Sequence, residues 1–161
     1  VEAGCFDTIT VMIQKEVAQR LAGGPGGDYG AFSVFMQYHT EPQVLFDVPP
    51  DCFLPAPKVT SAVLRCKVRQ EPPVALRCPE SFFFRTVRGA FALRRKTLVN
   101  SLASVFGGEF SKEQLAQAVE DCGFPPAIRG ERLGLEEFAS LANTLYGRLA
   151  ERKTAGQQGT V

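Results

Sequence analysis

Strand-like and helical patterns of apolar and polar positions alternate before residue 70, and helical patterns alone follow after residue 79. Apolar, β-branched residues on both faces of Thr8–Gln14 predict a strand covered by helices on each side of a parallel sheet. An amphipathic helix is expected at Lys15–Ala22, and Ser33 is expected to cap a brief helix that ends near Tyr38. A second strand is predicted at residues 43–48, with three apolar side chains on one face: Val44, Phe46 and Val48.

Four prolines between residues 49 and 57 predict a rigid, extended loop, because they remove backbone donors and fix φ. Strand character returns over residues 59–68. There, three alternate side chains face one way: Ala62, Leu64 and Cys66. Residues 71–79 contain three further prolines and predict a linker between two domains.

The region beyond the linker is predicted to be helical. Six apolar positions fall on one stripe of a helical wheel: Phe84, Val87, Phe91, Leu98, Leu102 and Val105. Arg95 falls in the same stripe, so either the helix kinks near residues 94–96 or an arginine is held on the core side. Ser111 and Gln114 form a capping box for another helix, which Gly123 ends.

The predicted domains are therefore residues 1–70, the linker 71–79 and a helical domain at residues 80–150. A last helix is expected from about residue 135 to residue 149. The polar, glycine-rich residues 151–161 predict a disordered tail.

Charge adds a basic region to this picture. The whole chain has a net charge of +1, but residues 58–100 hold ten basic and two acidic residues. A chain polarised in this way usually presents one basic face to a polyanion. Five of these cations lie among aromatic residues at 82–100, without the glutamates that a solvated helix would use for pairing. This pattern favours a polyanion contact over solvated surface charge.

Signals for other kinds of site are weak. His39 belongs to no triad motif and is expected to be structural or solvated. Residues 23–27 follow a helix rather than a strand, so they predict a plain loop and not a phosphate cradle. The five cysteines are widely spaced and predict reduced thiols. We expect no metal site, no catalytic residue in this segment, no membrane span and a cytoplasmic location.

Phe53 and Lys58 lie in the proline-rich loop, which would hold both side chains at the edge of a sheet. An aromatic ring on stiff backbone can stack on an unpaired base, at about 1 to 3 kcal/mol per base. Alternatively, Phe53 plugs the core beneath the turn. The residues alone favour the core plug.

Three motifs occur in order along the chain: IQKEVAQRL at residues 13–21, FLPAPKVTSAV at 53–63 and FALRRKTLVNSL at 91–102. Together with RGERLGLEEF at residues 129–138, they resemble the KsgA/RsmA family. These proteins are the 16S ribosomal RNA adenine dimethyltransferases, relatives of the erythromycin-resistance (Erm) enzymes. One departure is Gly134, where the family usually has a serine or threonine that caps the last helix.

The resemblance implies an α/β plus all-α fold: the last three of seven strands of a class I, Rossmann-like methyltransferase sheet, followed by a small helical domain. The third strand, from Ser61, would be antiparallel. The family's S-adenosylmethionine motifs are expected upstream of Val1, as is the natural amino terminus. The chain therefore resembles a carboxy-terminal segment that lacks the cofactor-binding half and is inactive alone.

The resemblance also implies a function, the dimethylation of adjacent adenosines in a 16S rRNA hairpin during small-subunit maturation. Phe53 would pack on the flipped adenine, which shifts the interpretation of this residue to substrate contact. Five cations would bind rRNA phosphates: Lys58, Arg88, Arg94, Arg95 and Lys96. A partly structural role is an equal alternative for Arg94 and Arg95.

The expected partner is the small ribosomal subunit, and the full-length protein is expected to be monomeric. Two other functions remain open at this point. One is an Erm-type methyltransferase that acts on 23S rRNA, and the other is a non-catalytic RNA-binding or ribosome-assembly module.

Overall fold

The computed structural model describes the backbone of residues 6–158 and the side chains of residues 6–152. The chain divides into two compact units between Pro73 and Val74, within the predicted linker. The first unit contains three strands and two helices: β1 Thr8–Gln14, α1 Lys15–Ala22, α2 Ala31–His39, β2 Thr40–Val48 and β3 Ser61–Val68. The described part of the second unit contains α3 Glu80–Phe91, α4 Leu98–Phe106, α5 Lys112–Asp121 and α6 Leu135–Gln158.

The sheet has the order β1-β3-β2, with the last strand in the middle. β3 is antiparallel to both neighbours, so β1 and β2 run parallel to each other. The register brings the ends of β1 and β2 together, because Gln14 and Val48 both pair with Ser61. The predicted antiparallel third strand is confirmed.

One face of the sheet packs against α1 and forms the core of the first unit. Three side chains of β3 are buried on it, as the alternation predicts: Ala62, Leu64 and Cys66. Ala18 and Leu21 of α1 complete this core, and Met36 of α2 packs against it. Burial raises the pKa of the Cys66 thiol above its ordinary value.

No helix of the first unit packs on the other face of the sheet. The prediction that helices cover both faces is therefore wrong for the described residues. Met12 and Phe46 have relative exposures of 51% and 59% there. Phe46 reaches this face through an irregularity of β2, because the register shifts between Val44 and Phe46. An extra residue in one strand reverses the alternation, so Val44 and Phe46 do not share a face as predicted.

Helix α2 begins at Ala31, two residues before the predicted cap. Ser33 instead lies buried inside the helix, where its hydroxyl donates to the carbonyl of Arg20 at 3.1 Å. The Gln37 amide donates to the carbonyls of Leu21 and Gly23 at 2.9 and 2.6 Å. Side chains of α2 thus bind the backbone carbonyls at the end of α1. The local sequence did not indicate this role of Ser33.

The second unit is built around phenylalanine and leucine side chains. Its fully buried side chains include Phe83, Phe106, Phe138, Leu98, Leu102, Leu115, Leu141 and Leu145. The predicted continuous stripe is interrupted, because α3 ends at Phe91 and α4 begins only at Leu98. Of the two alternatives for Arg95, the interruption of the helix is therefore correct, since Arg95 lies exposed in the intervening turn.

The ends of α5 and the start of α6 depend on local capping residues. Ser111 and Gln114 form the predicted capping box, with hydrogen bonds of 3.3 and 2.9 Å. Gly123 follows in the left-handed region with φ +77°, which favours glycine. At Gly134 the carboxylate of Glu137 accepts from the backbone amide at 3.0 Å, which is one half of a capping box. Glycine cannot supply the other half, the side-chain oxygen of a serine or threonine.

Helix α6 continues to Gln158, beyond the predicted end at residue 149 and into the segment predicted to be disordered. Good helix formers between residues 150 and 158, among them alanine, glutamate, arginine and glutamine, account for the extension. The last three residues of the predicted tail lie outside the described residues. Along residues 6–158, no helix combines the length and the apolar character needed to cross a membrane.

Candidate nucleic-acid interface

The proline-rich loop at residues 49–60 connects β2 to β3 at the edge of the sheet where β1 and β2 end. In open α/β sheets, ligands bind at the carboxyl ends of the parallel strands. The backbone amide of Lys15, the first residue of α1, donates to the carbonyl of Thr60 at 3.0 Å. Its side chain forms an ion pair with Asp47 at 2.6 Å. Both ends of the loop are thus held against the start of α1.

The loop itself is stiff, as the prolines predict. Residues Pro50–Cys52 form a 3-10 turn. The backbone amides of Cys52 and Phe53 each donate back at 3.2 Å, to the carbonyls of Pro49 and Pro50. The predicted stacking residue therefore follows directly after a hydrogen-bonded turn.

The Phe53 ring is half-buried, whereas Phe83, Phe106 and Phe138 are fully buried. Phe53 therefore differs from the rings that fill the cores, and part of its surface is open to a ligand. Lys58 is exposed on the same loop and forms no ion pair with any residue between 6 and 152. Both assignments remain predictions.

The remaining predicted cations belong to the second unit. Arg94, Arg95 and Lys96, which we call the basic turn, lie in the connection between α3 and α4 and are exposed. Arg88 is exposed on the last turn of α3. The structure thus brings these four cations to one end of α3, while Phe53 and Lys58 lie in the first unit.

A buried serine supports the basic turn. The Ser101 hydroxyl donates to the carbonyl of Gly89 at 2.7 Å and accepts from the backbone amide of Leu93 at 2.9 Å. The amide of Lys96 then donates to the carbonyl of Leu93 at 2.9 Å. Because Ser101 is fully buried, this link between α4 and the turn is shielded from water.

Ion pairing separates Arg85 from Arg88, Arg95 and Lys96 of the basic region. The Arg85 guanidinium forms two 2.7 Å hydrogen bonds with the Glu109 carboxylate and a third, of 3.0 Å, with the carbonyl of Val105. It also lies 4.3 Å from the centre of the Phe106 ring. In contrast, Arg88, Arg95 and Lys96 form no ion pair within residues 6–152. Their charges are available to an external anion.

Sequence reasoning missed Arg129. The carbonyl of Ile128 accepts from the backbone amide of Leu98 at 2.8 Å, which places exposed Arg129 close to the basic turn. The Arg129 guanidinium also forms an ion pair with the Glu131 carboxylate at 3.8 Å. The next residue must be small, because a Cβ at Gly130 would lie 2.6 Å from the carbonyl oxygen of Ala90. The only available signal was the RGERLGLEEF motif, since Arg129 is far from the basic region in sequence.

Two connections in the first unit bear on the binding of S-adenosylmethionine. β1 runs directly into α1 at Lys15, and residues 23–27 connect two helices. Neither connection is the glycine-rich turn from strand to helix that holds such a cofactor. Among the described side chains there is also no group of three or more potential metal ligands.

Residues 1–122 match the sequence model of one protein family, described as ribosomal RNA adenine dimethylase. The chain belongs to this family. A dimethylase relative from Lachnoclostridium phytofermentans, named ribosomal RNA small subunit methyltransferase A, is 46% identical over 141 residues. The match covers 87% of this chain and 48% of the relative, so the chain spans about half the length of the curated relatives it matches. The resemblance found in the sequence is confirmed.

Two solved structures support the predicted fold class of this chain. A dimethyladenosine transferase from Plasmodium falciparum has a TM-score of 0.72 at 17% identity, over 91% of this chain and 59% of that chain. The 23S rRNA methyltransferase ErmE has a TM-score of 0.63 at 21% identity, over 90% of this chain and 57% of that chain. At these identities the likeness shows the fold alone. It confirms part of a Rossmann-like methyltransferase sheet followed by helices.

Proposed function

We propose that this chain is the RNA-contacting part of an S-adenosylmethionine-dependent enzyme that dimethylates adjacent adenosines in a 16S rRNA hairpin during small-subunit maturation. The observation that carries the proposal is the basic turn. In a member of an RNA-modifying family, exposed Arg95 and Lys96 have no carboxylate partner within residues 6–152. Exposed cations without a carboxylate partner release counterions when they bind phosphates, and they lose no internal ion pair on binding.

The two predicted groups of site residues would do different work. Lys58, Arg88 and the basic turn would bind backbone phosphates, which sets the position of the RNA without reading its bases. Phe53 would stack on the target adenine and hold its ring in one plane. Such positioning lowers the entropic barrier of a transfer reaction.

Chemistry at the methyl donor is not assigned to the described residues, because neither of the two connections described above is a glycine-rich turn from strand to helix. S-adenosylmethionine supplies the methyl group in this proposal. The proposed contribution of this chain is to bind and orient the RNA. The small ribosomal subunit is the proposed partner, and the cytoplasm is the proposed location.

Specificity for the small subunit is favoured over an Erm-type activity. The relative that is 46% identical carries the name of a small-subunit enzyme. The ErmE structure is only 21% identical and supports the fold alone. A non-catalytic RNA-binding module differs from both in transferring no methyl group.

A chimera would test the proposed activity. The chain is fused to the part of the Lachnoclostridium phytofermentans relative that it does not cover, and total rRNA is treated with the product. We expect dimethyladenosine in small-subunit rRNA, detected by mass spectrometry of the separated subunit RNAs. Dimethyladenosine in large-subunit rRNA would support the Erm-type activity instead. RNA binding without any methylation by a folded chimera would support the non-catalytic module.

The same chimera tests Phe53. Loss of a stacking ring in Phe53→Ala should lower kcat/KM by about 5- to 150-fold, whereas Phe53→Trp should retain activity. The matched control is Phe83→Ala, which removes a fully buried ring and should cost about 3 to 5 kcal/mol of stability. If Phe53→Ala lowers the thermal midpoint as much as Phe83→Ala does, Phe53 is a core residue.

A further inference from the structure

Leu54 is the most exposed large hydrophobic residue of the described chain, with a relative exposure of 101%. The next most exposed, Phe6, reaches 65%. No side chain among residues 6–152 covers Leu54, so its whole apolar surface faces water. The apolar surface of this leucine is hydrated in the free protein and would lose that water on contact with another apolar surface.

The backbone presents Leu54 and Phe53 in different directions. Phe53 has the extended dihedrals φ −125° and ψ 150°. Successive side chains of extended backbone point to opposite sides. This agrees with a half-buried Phe53 ring and a fully exposed Leu54 side chain.

The backbone at Leu54 is also restricted. The 3-10 turn at Pro50–Cys52 precedes Phe53, and Pro55 follows Leu54 and restricts its backbone. Little conformational entropy is then lost when the leucine inserts between two surfaces. A mobile loop tip would lack this property.

Chemistry on a base requires that the base leave its stack, which opens a gap between its neighbours. Proteins that unstack nucleic acids fill such gaps with apolar wedges, of which leucine is one. We propose that Leu54 is a wedge that inserts between bases of the RNA hairpin and keeps the target adenosine unstacked. This inference rests on the proposed function, and it adds a positioning residue that acts on the neighbouring bases.

The surroundings of Leu54 favour RNA over an apolar protein partner. Lys58 lies four residues away on the same loop, exposed and without an ion pair within residues 6–152. The loop also ends at the edge of the sheet where the substrate is expected. An apolar wedge beside a free cation matches a stack of bases flanked by phosphates.

The test uses the 161-residue chain and a hairpin RNA with 2-aminopurine in place of one of two adjacent loop adenosines. The fluorescence of 2-aminopurine rises when the base leaves its stack, and anisotropy of a terminal dye reports binding separately. We expect a fluorescence rise with the unchanged chain. Leu54→Ser should reduce that rise by about threefold or more at saturation, with little change in affinity. Leu54→Met should retain it.

The control is Leu45→Ser, at another exposed leucine, on β2 outside the loop. It should leave both signals unchanged. An equal fluorescence rise with Leu54→Ser, or no rise with the unchanged chain bound to RNA, overturns the wedge and leaves the RNA contact intact. A lower thermal midpoint for Leu54→Ser also overturns it, because the leucine would then pack within the protein. Failure of the unchanged chain to bind the hairpin overturns the RNA contact and the wedge together.

Discussion

Arg85 and the basic turn are two parts of one basic region, about ten residues apart, that the fold uses in opposite ways. Arg85 is bound by Glu109, by the carbonyl of Val105 and by the ring of Phe106. Arg95 and Lys96 are exposed and have no ion pair within residues 6–152. A run of cations in a sequence therefore mixes charges that hold helices together with charges that remain available to a ligand.

The contacts of Arg85 explain why this residue serves the fold. Val105 is the penultimate residue of α4, so the guanidinium lies at a helix C-terminus, where a cation is favourable. Its two bonds to Glu109 follow the fork geometry that arginine and carboxylate share. Arg95 and Lys96 of the basic turn instead repel each other, and a polyanion would relieve this repulsion.

The largest expected effect is on RNA affinity. The double variant Arg95→Gln and Lys96→Gln removes two proposed phosphate contacts, so the slope of log K against log salt should fall by about 1.4 to 1.8. At 0.1 M salt this corresponds to a loss of affinity of about 25- to 60-fold. Salt titrations of hairpin binding measure both quantities, and the loss should be similar for unrelated RNA sequences.

Arg85→Gln is the matched control for this double variant, because it also removes a charge from the basic region. It should lower the thermal midpoint and leave the salt slope unchanged, since Arg85 is bound within the protein. An unchanged salt slope in the double variant would assign the basic turn to solvated charge. An equal loss of slope in Arg85→Gln would remove the distinction between the two groups.

A smaller effect is expected where the basic turn joins the core. Ser101→Ala leaves the Leu93 amide and the Gly89 carbonyl without their buried partner, which should cost about 1 to 3 kcal/mol of stability. RNA affinity should fall modestly with an unchanged salt slope, because the charges remain but their support is lost. Urea denaturation and the salt titration measure these two results.

Ser104→Ala is the control for this change. Its hydroxyl donates to the carbonyl of Ser101 at 2.6 Å, but the residue is exposed. Its loss should stay within about 0.5 kcal/mol. Equal stability losses for both serine variants would mean that the Ser101 bridge gives the turn no special support.

The sequence predicted those parts of the fold that depend on local pattern. The burial of Leu64 on β3 followed from alternation, and the cap at Ser111 followed from spacing. Two of the errors share one physical cause, a partner that is distant in sequence. Ser33 binds the carbonyl of Arg20 instead of capping its own helix, and the irregularity of β2 turns Phe46 to the other face of the sheet.

The candidate site was predictable to a similar extent. Prolines identified the loop of Phe53 as stiff, and the structure supports this through backbone hydrogen bonds. The pairing of Arg85 was not visible, because Glu109 lies 24 residues away. Arg129 was missed for the same reason, since a hydrogen bond from Leu98 brings its loop to the turn. Pattern shows which charges are present, but tertiary contacts decide which of them are free.

The smallest expected effect comes from pH. The hydrogen bond from Arg85 holds the pKa of Glu109 below its ordinary value of 4.5. A carboxylate with a lowered pKa stabilises the fold above its unfolded pKa, and this contribution is lost as the pH falls through the folded value. We therefore expect the thermal midpoint to decrease as the pH is lowered below about 4.5.

Glu109→Gln should reduce this acid loss by less than about 1 kcal/mol, because both partners are about a third exposed and solvent screens the pair. Some acid sensitivity should remain, since hydrogen bonds also lower the pKa values of Glu113 and Asp121. Thermal melts of both proteins between pH 3 and pH 7 measure the difference. If Glu109→Gln shows the same acid loss as the unchanged chain, the Arg85 pair contributes no stability, and Arg85 would belong with the cations that are available to RNA.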